Sequence, residues 1–264
     1  MSESLRFVPR NSLACLHHAS IVSARTPSRS TAIFNRSLRE PDNWAILWLA
    51  RESLTLVEFP SSMPREMTVL EGISSLRSVR KFTPDPVPEG KLRIVLESAS
   101  KAASGSNTQP WEFVVVRDTK MKTRLKEPML RTWLERLASG SGMSQRMRGV
   151  YDDATEMLRN TEKVPVIIYC CVDLDRVGKS EEVRYASIYP AVQNLLLVAH
   201  ALGLATCLTV HGSTPTRGEP EVKKLLGIPE HVKIACLVYL GYPAVRLGRP
   251  KRKPIEKFTH YDHW

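Results

Sequence analysis

Residues 77–82 read RSVRKF, and residues 103–111 read ASGSNTQPW. Arg77 and Arg80 are three apart; on a helical turn they project from one side, where two guanidinium forks can grip a phosphate bidentately. Ser78 between them adds a hydroxyl donor. In the second stretch a run of small polar residues, Ser104, Gly105, Ser106 and Asn107, passes through Pro110 and Trp111 straight into the β-branched run EFVVV. A loop of that composition leaves backbone N–H groups and short side chains free for something flat or anionic to lie on. A third stretch, KRK at Lys251, Arg252 and Lys253, gathers positive charge near the end of the chain.

The elements that must position these residues follow from periodicity. VLEGISSLRSVRKF reads as a helix ending near the arginines, and PVPEGKLRIVLESASKAA places Leu92, Val95, Leu96 and Ala99 on one face of a second. EFVVVRD is a strand, and residues 119–162 are charged and helical with a Gly/Ser break at ASGSGMS. The strand VPVIIYCCVDL precedes the helix YASIYPAVQNLLLVAHALG, which Pro190 is expected to kink or restart. LATCLTV and VKIACLVYLGYP supply two further strands around the helix EPEVKKLLG. The class is α+β, strands covered by helices on both sides.

Composition sets the bounds. The apolar fraction is 42%, ordinary for a globular protein. The longest apolar runs are shorter than the ~20 residues that cross a bilayer, so no membrane partner is expected. A formal charge of +11 invites a nucleic-acid reading, yet Lys and Arg are spread along the chain outside the tail, and no nucleic-acid-binding motif accompanies them. Cys15, Cys170, Cys171, Cys207 and Cys236 form no C-x-x-C pair, which suits buried, reduced thiols in a cytoplasmic protein. Residues 1–66 contain no lysine, eight arginines and six acidic residues, whereas lysine is frequent afterwards. The expected organisation is an extension at 1–66, either disordered or translated from a start codon upstream of the genuine one, and a domain at 67–264. The extension's Arg- and Ser-rich composition also superficially resembles a transit peptide.

R-S-V-R-K-F, then S-G-S-N-T-Q-P-W, A-L-G-L-A-T-C after a Q-N-L-L-L helix, and L-G-Y-P near the end resemble, in order, the nitroreductase family of FMN-dependent oxidoreductases over about residues 67–257. The resemblance implies a nitroreductase-like α+β fold, a mixed, mainly antiparallel sheet flanked by helices, in a homodimer whose FMN pockets both subunits build. It implies that Arg77, Ser78 and Arg80 bind FMN, and that Arg252 matches a phosphate-binding arginine of the iodotyrosine deiodinase branch. Ser104, Gly105, Ser106 and Asn107 become a platform for the isoalloxazine ring, with Trp111 packed beneath. Asn107 is the candidate for a side-chain bond to the pyrimidine edge, or else closes an Asx turn. Gly212, Ser213 and Thr214 in VHGSTP fall where the family places donors near the flavin. The loop departs from the family's usual residues at Ala103 and Ser106, where Pro and Gly are common.

No protein side chain is required as a base, because flavin N5 accepts the hydride, and His211 reads as a structural strand-end residue. The implied activity is ping-pong hydride transfer from NADH or NADPH to a nitroaromatic, quinone or similar planar acceptor. Two other classes stay open: a specialised relative, such as a reductive dehalogenase or flavin-fragmenting enzyme, and a non-enzymatic flavin- or nucleic-acid-binding protein. The Glu-x-x-x-Tyr element of the deiodinase branch has no counterpart in residues 127–162.

Overall fold

Four strands form one sheet in the order β1-β2-β4-β3, every neighbouring pair antiparallel. They are β1 (Trp111–Val116), β2 (Val166–Asp173), β3 (Ala205–Thr209) and β4 (Val232–Gly241). The helices are α1 (Val69–Ser75), α2 (Glu89–Ala99), α3 (Thr119–Ser139), α4 (Gln145–Arg159), α5 (Glu181–Ala201) and α6 (Glu219–Leu226). This is a computed structural model that describes residues 67–139, 145–176, 181–213, 216–246 and 248–264. The expectations for residues 1–66 and for Thr214 lie outside the described residues.

Alternation along β2 and β4 sends side chains to two separate cores. Ile168, Cys170, Val238 and Leu240 meet α2 and α5 through Leu92, Val95, Ile188 and Leu195. Ile167, Tyr169, Cys171, Leu237 and Tyr239 meet α3, α4 and α6 through Leu125, Met129, Leu158 and Val222. The helices thus cover both faces, as the apolar periodicity predicts. Cys170, Cys171, Cys207 and Cys236 are buried free thiols, as their setting in apolar strands implies. Where Cys170 opposes Cys236 but Cys171 opposes Ile234, Ala235 is an extra residue in β4. Its carbonyl accepts a hydrogen bond from Tyr189 Oη of α5 at 3.3 Å.

Local chemistry sets the helix starts. Thr68 and Glu71 close a capping box on α1, and Asp118 Oδ1 accepts from Met121 N at 2.6 Å at the start of α3. α5 runs through Pro190 as one helix and does not start afresh there. Ile188, Ala191, Val192 and Leu195 around the proline are buried in the first core, and that packing outweighs the one lost backbone bond.

The largest departure from expectation is at the arginines. α1 ends at Ser75, and Leu76 (φ −56, ψ 130) takes the chain out of the helix. Residues 77–83 are extended. Ser78 bridges Thr206 in parallel and Val79 N donates to Thr206 O at 2.8 Å; Thr83 N donates to Tyr242 O, and Ala244 N to Lys81 O. β3 is the sheet's edge, so its open backbone groups recruit this segment more strongly than a further helical turn would. Among the described residues, that bridge is the one parallel pairing beside the antiparallel strands.

Candidate functional site

In an extended chain, residues an odd number apart face opposite ways. Arg77 and Arg80 therefore part company instead of sharing one helical face. Arg77 is exposed, and its Nη1 donates to Gly248 O at 2.8 Å, joining it to the C-terminal stretch four residues before Arg252. Arg80 is half-buried, and its charge bears on Cys207 of β3 and on His211 just beyond it. Arg252 is exposed and its Nη1 donates to its neighbour's carbonyl, Lys251 O, at 3.2 Å.

β3 leads into the turn Val210–Ser213. Val210 O accepts from both Ser213 N (3.1 Å) and Ser213 Oγ (2.7 Å), so both donors of this fully buried serine are spent inside the turn. Gly212 has φ +75, and a Cβ there would lie 3.0 Å from Met129 Cγ and Val222 Cγ2. Left-handed backbone and close packing together require glycine at this position. His211 is buried, 8% exposed, with its ring edge-on to Trp133 of α3 at 4.5 Å between centroids. Burial, then the charges of Arg136 and Arg80, push its imidazole down to about 4, so the ring is neutral.

The loop before β1 is differently built. Gly105–Asn107 form a tight turn in which Asn107 N donates to Ser104 O and Thr108 N to Gly105 O, each at 3.0 Å. Ser106 (φ 49), Asn107 (φ 54) and Gln109 (φ 47) all hold left-handed backbone. The left-handed positions thus fall on residues with side chains, at a cost of order 1–3 kcal/mol each. Ser104 Oγ accepts from Gln109 N at 3.0 Å, and Asn107 Oδ1 accepts from Gln109 Nε2 at 3.1 Å. Gly105 N donates to Ser187 Oγ of α5 at 3.3 Å. Thr108 Oγ1 is buried without a hydrogen-bond partner among the described residues. Strain and an unsatisfied hydroxyl thus fall together in one short loop. Trp111, first residue of β1, is buried in the first core below the loop.

Two groups of candidate residues emerge. Ser104–Asn107 stand before β1, at one edge of the sheet; Arg77–Arg80 and Gly212–Ser213 line β3, at the other. Three strand spacings put those edges about 14 Å apart. One of the groups offers short polar side chains and strained backbone, the other positive charge and a buried neutral imidazole. Residue by residue, this suits an elongated ligand with an anionic end and a flat polar body. One further cluster, Asp173, Asp175 and His231, brings potential metal ligands within 4.8 Å of one another. Its buried carboxylate is already held by Arg176 Nε at 3.1 Å and Asp175 N at 2.9 Å.

The fold and these residues define an α+β protein whose candidate residues gather at the two edges of one sheet. The chain belongs to the Nitroreductase family, whose model matches residues 73–242. It is 35% identical over 202 residues to the NADH dehydrogenase of Thermus thermophilus, a match covering 69% of this chain and 89% of that protein. Among solved structures it is similar to oxidised iodotyrosine deiodinase bound to FMN and 3-iodo-L-tyrosine, with a TM-score of 0.62, 22% identity and coverage of 75% of this chain and 100% of that one. It is also similar to the FMN-dependent nitroreductase of Mycobacterium smegmatis in complex with NADPH, with a TM-score of 0.56, 23% identity and coverage of 74% and 97%. These likenesses bear out the nitroreductase-like α+β architecture read from RSVRKF, SGSNTQPW and LGYP.

Proposed function

We propose that this chain is an FMN-dependent oxidoreductase of the cytoplasm. It passes hydride from NADH or NADPH to a nitroaromatic, quinone or similar planar electrophile by ping-pong turnover. The observation that carries the reading is the parting of Arg77 and Arg80 by the extended 77–83 segment, in a chain of this family. Arg77, with Ser78 and the tail around Arg252, holds the phosphate end. Arg80, beside the turn that follows β3, offers positive charge to the ring end, where negative charge on N1 and C2=O accompanies reduction. Bound FMN supplies two-electron hydride chemistry at its N5; the protein's part is to bind, orient and tune.

The same reading makes the working unit a homodimer. The 104–107 loop and the 77–80 segment lie on opposite sheet edges of one copy, so a flavin touching both draws the loop from a second copy. Val69, Leu70 and Ile73 of α1 are 74%, 79% and 56% exposed, and Phe258, Tyr261 and Trp264 in the tail are exposed too. Apolar surface of that kind is covered when two copies pair. Among the described residues no helix is long and apolar enough to cross a membrane.

The absorption spectrum of the purified protein tests the proposal. A yellow protein that releases FMN on denaturation and is bleached anaerobically by NADH or NADPH is the expected result. Arg77→Ala then removes a charge-assisted phosphate bond worth about 1.5–3 kcal/mol and purifies largely without flavin. Colourless wild-type protein that retards DNA with a steep salt dependence would replace this reading with nucleic-acid binding.

A further inference from the structure

The segment Phe82–Val87, the first turn of α3 and the start of β2 enclose a cleft of about 630 Å³, a size usual for small-molecule sites. None of the residues lining it is among those read above as flavin-binding. Its apolar side is Phe82 with the rings of Pro84, Pro86 and Pro165. These surfaces are rigid, so ordering them against a ligand costs little. Phe82 bridges Pro243, and Thr83 N donates to Tyr242 O at 2.9 Å, which pins this wall to the chain after β4. The charged side is Arg117, Lys122, Glu162 and Lys163. Two of these are already paired: Arg117 Nη2 lies 2.6 Å from Glu89 Oε2, and Glu162 Oε2 lies 3.0 Å from Lys126 Nζ. The other two are ammonium groups. Lys163 is exposed. Lys122 is 3% exposed, and its Nζ donates to two carbonyls, Val164 O at 2.6 Å and Pro165 O at 3.4 Å. An ammonium has three N–H donors, so one is left over. Among the described residues no carboxylate is in salt-bridge contact with Lys122. Burial pushes its pKa down, and the charges of Asp118 and Glu162 offset part of this from further off. A lysine so deeply buried is ordinarily paired with an anion.

We propose that this cleft is a second ligand site, which takes a small aromatic carboxylate. The carboxylate accepts the spare N–H of Lys122 and balances the charge of Lys163, while the ring lies against Phe82 and the prolines. A carboxylate suits the site better than a phosphate does. The donors on offer are two ammonium point charges, and the one guanidinium fork in the lining, Arg117, is already taken by Glu89. A ring suits it better than a flexible chain, because a flat ligand matches walls made of rings and loses little freedom on binding. The site stands whether or not the flavoenzyme reading does, since the two share no residue.

Titration of the purified full-length protein with benzoate at neutral pH tests the site, with benzamide as the uncharged analogue of the same shape. Calorimetry gives the affinity, and in 15N-labelled wild type the backbone amides of Lys122 and Val166 report where benzoate binds. Saturable binding that shifts both amides is expected, with benzamide at least tenfold weaker. Lys122→Met keeps the aliphatic stem and loses the ammonium. Lys163→Glu reverses an exposed charge in the lining, and Lys120→Glu makes the same change on an exposed residue outside it. Benzoate affinity is expected to fall about tenfold in Lys122→Met and about fivefold in Lys163→Glu, and to stay within about twofold of wild type in Lys120→Glu. Lys163→Glu changes only an exposed side chain, so it reads the site even if Lys122→Met does not fold. No binding at millimolar benzoate, or amides of Lys122 and Val166 that do not move at saturation, overturns the site. Benzamide as tight as benzoate overturns the carboxylate. Equal losses in Lys163→Glu and Lys120→Glu reduce the effect to general surface charge, and unchanged affinity in both cleft variants places the benzoate elsewhere; either result overturns the proposal.

Discussion

A buried neutral histidine makes stability depend on pH, and His211 allows the size of the effect to be worked out. Its imidazole falls from the ordinary 6.5 to about 4 in the folded protein, burial being the largest cause and Arg136 and Arg80 adding to it. The unfolded chain therefore binds a proton at this residue between those two values and the folded chain does not. The sign follows: stability is full above pH 6.5, declines as pH falls below it, and levels off below about 4. Between pH 7.5 and 4.5 the difference integrates to about 2.5 kcal/mol. At a urea dependence of about 2.5 kcal/mol per molar, that moves the unfolding midpoint by about 1 M. Other groups respond to acid too. His200, also lowered by burial, acts in the same direction. Comparison with His211→Phe removes such terms, because they are common to both proteins. In urea unfolding of both proteins freed of flavin, the stability of wild type relative to the variant is expected to fall by about 2.5 kcal/mol from pH 7.5 to 4.5. A relative stability that stays constant over that range would refute the claim that the fold holds this imidazole neutral.

Gly212→Ala places a methyl 3.0 Å from Met129 Cγ and Val222 Cγ2 on left-handed backbone; strain and overpacking together are expected to cost about 2–4 kcal/mol, seen as a lowered thermal midpoint. In the tail, Arg252→Ala is expected to weaken FMN while Lys251→Ala and Lys253→Ala do little, since neighbours along an extended segment face opposite ways and guanidinium matches a phosphate fork better than ammonium. Equal small losses in FMN dissociation constant at all three would return the tail to generic surface charge. A chain starting at Met67 is expected to be soluble and yellow; loss of flavin or of solubility on that truncation alone would show that residues 1–66 complete the fold.

Much of the fold was legible in the chain. Continuous apolar runs in VPVIIYCCVDL and VKIACLVYLGYP mark β2 and β4, because a strand buried on both faces must be apolar throughout. Leu92, Val95 and Ala99 recur at helical spacing and do face the core as α2. The family, too, was legible, since its motifs are short, ordered runs of residue types. The helix assigned through RSVRKF was not, because Leu76–Phe82 has the composition for either state. The open edge of β3, more than a hundred residues away, selects the extended one. The restart expected at Pro190 is absent for a similar reason: a local breaking signal lost to core packing on both sides of it.

For the site, the sequence by itself determined which residues are chemically equipped: guanidinium at Arg77, Arg80 and Arg252, short donors at Ser104–Asn107, glycine at 212. Spacing along the chain carries no information about direction once a segment pairs with a distant strand. Only the tertiary structure decided that Arg77 turns to the tail and that the charge of Arg80 is felt at Cys207 and His211. It alone placed the 104–107 loop at the far edge of the sheet. His211 shows the same division. Its type at a strand end permits several roles, and nothing local distinguishes them. Burial beside Trp133 and the charges of two arginines from separate segments exist only after α3, β3 and the 77–83 segment have packed together.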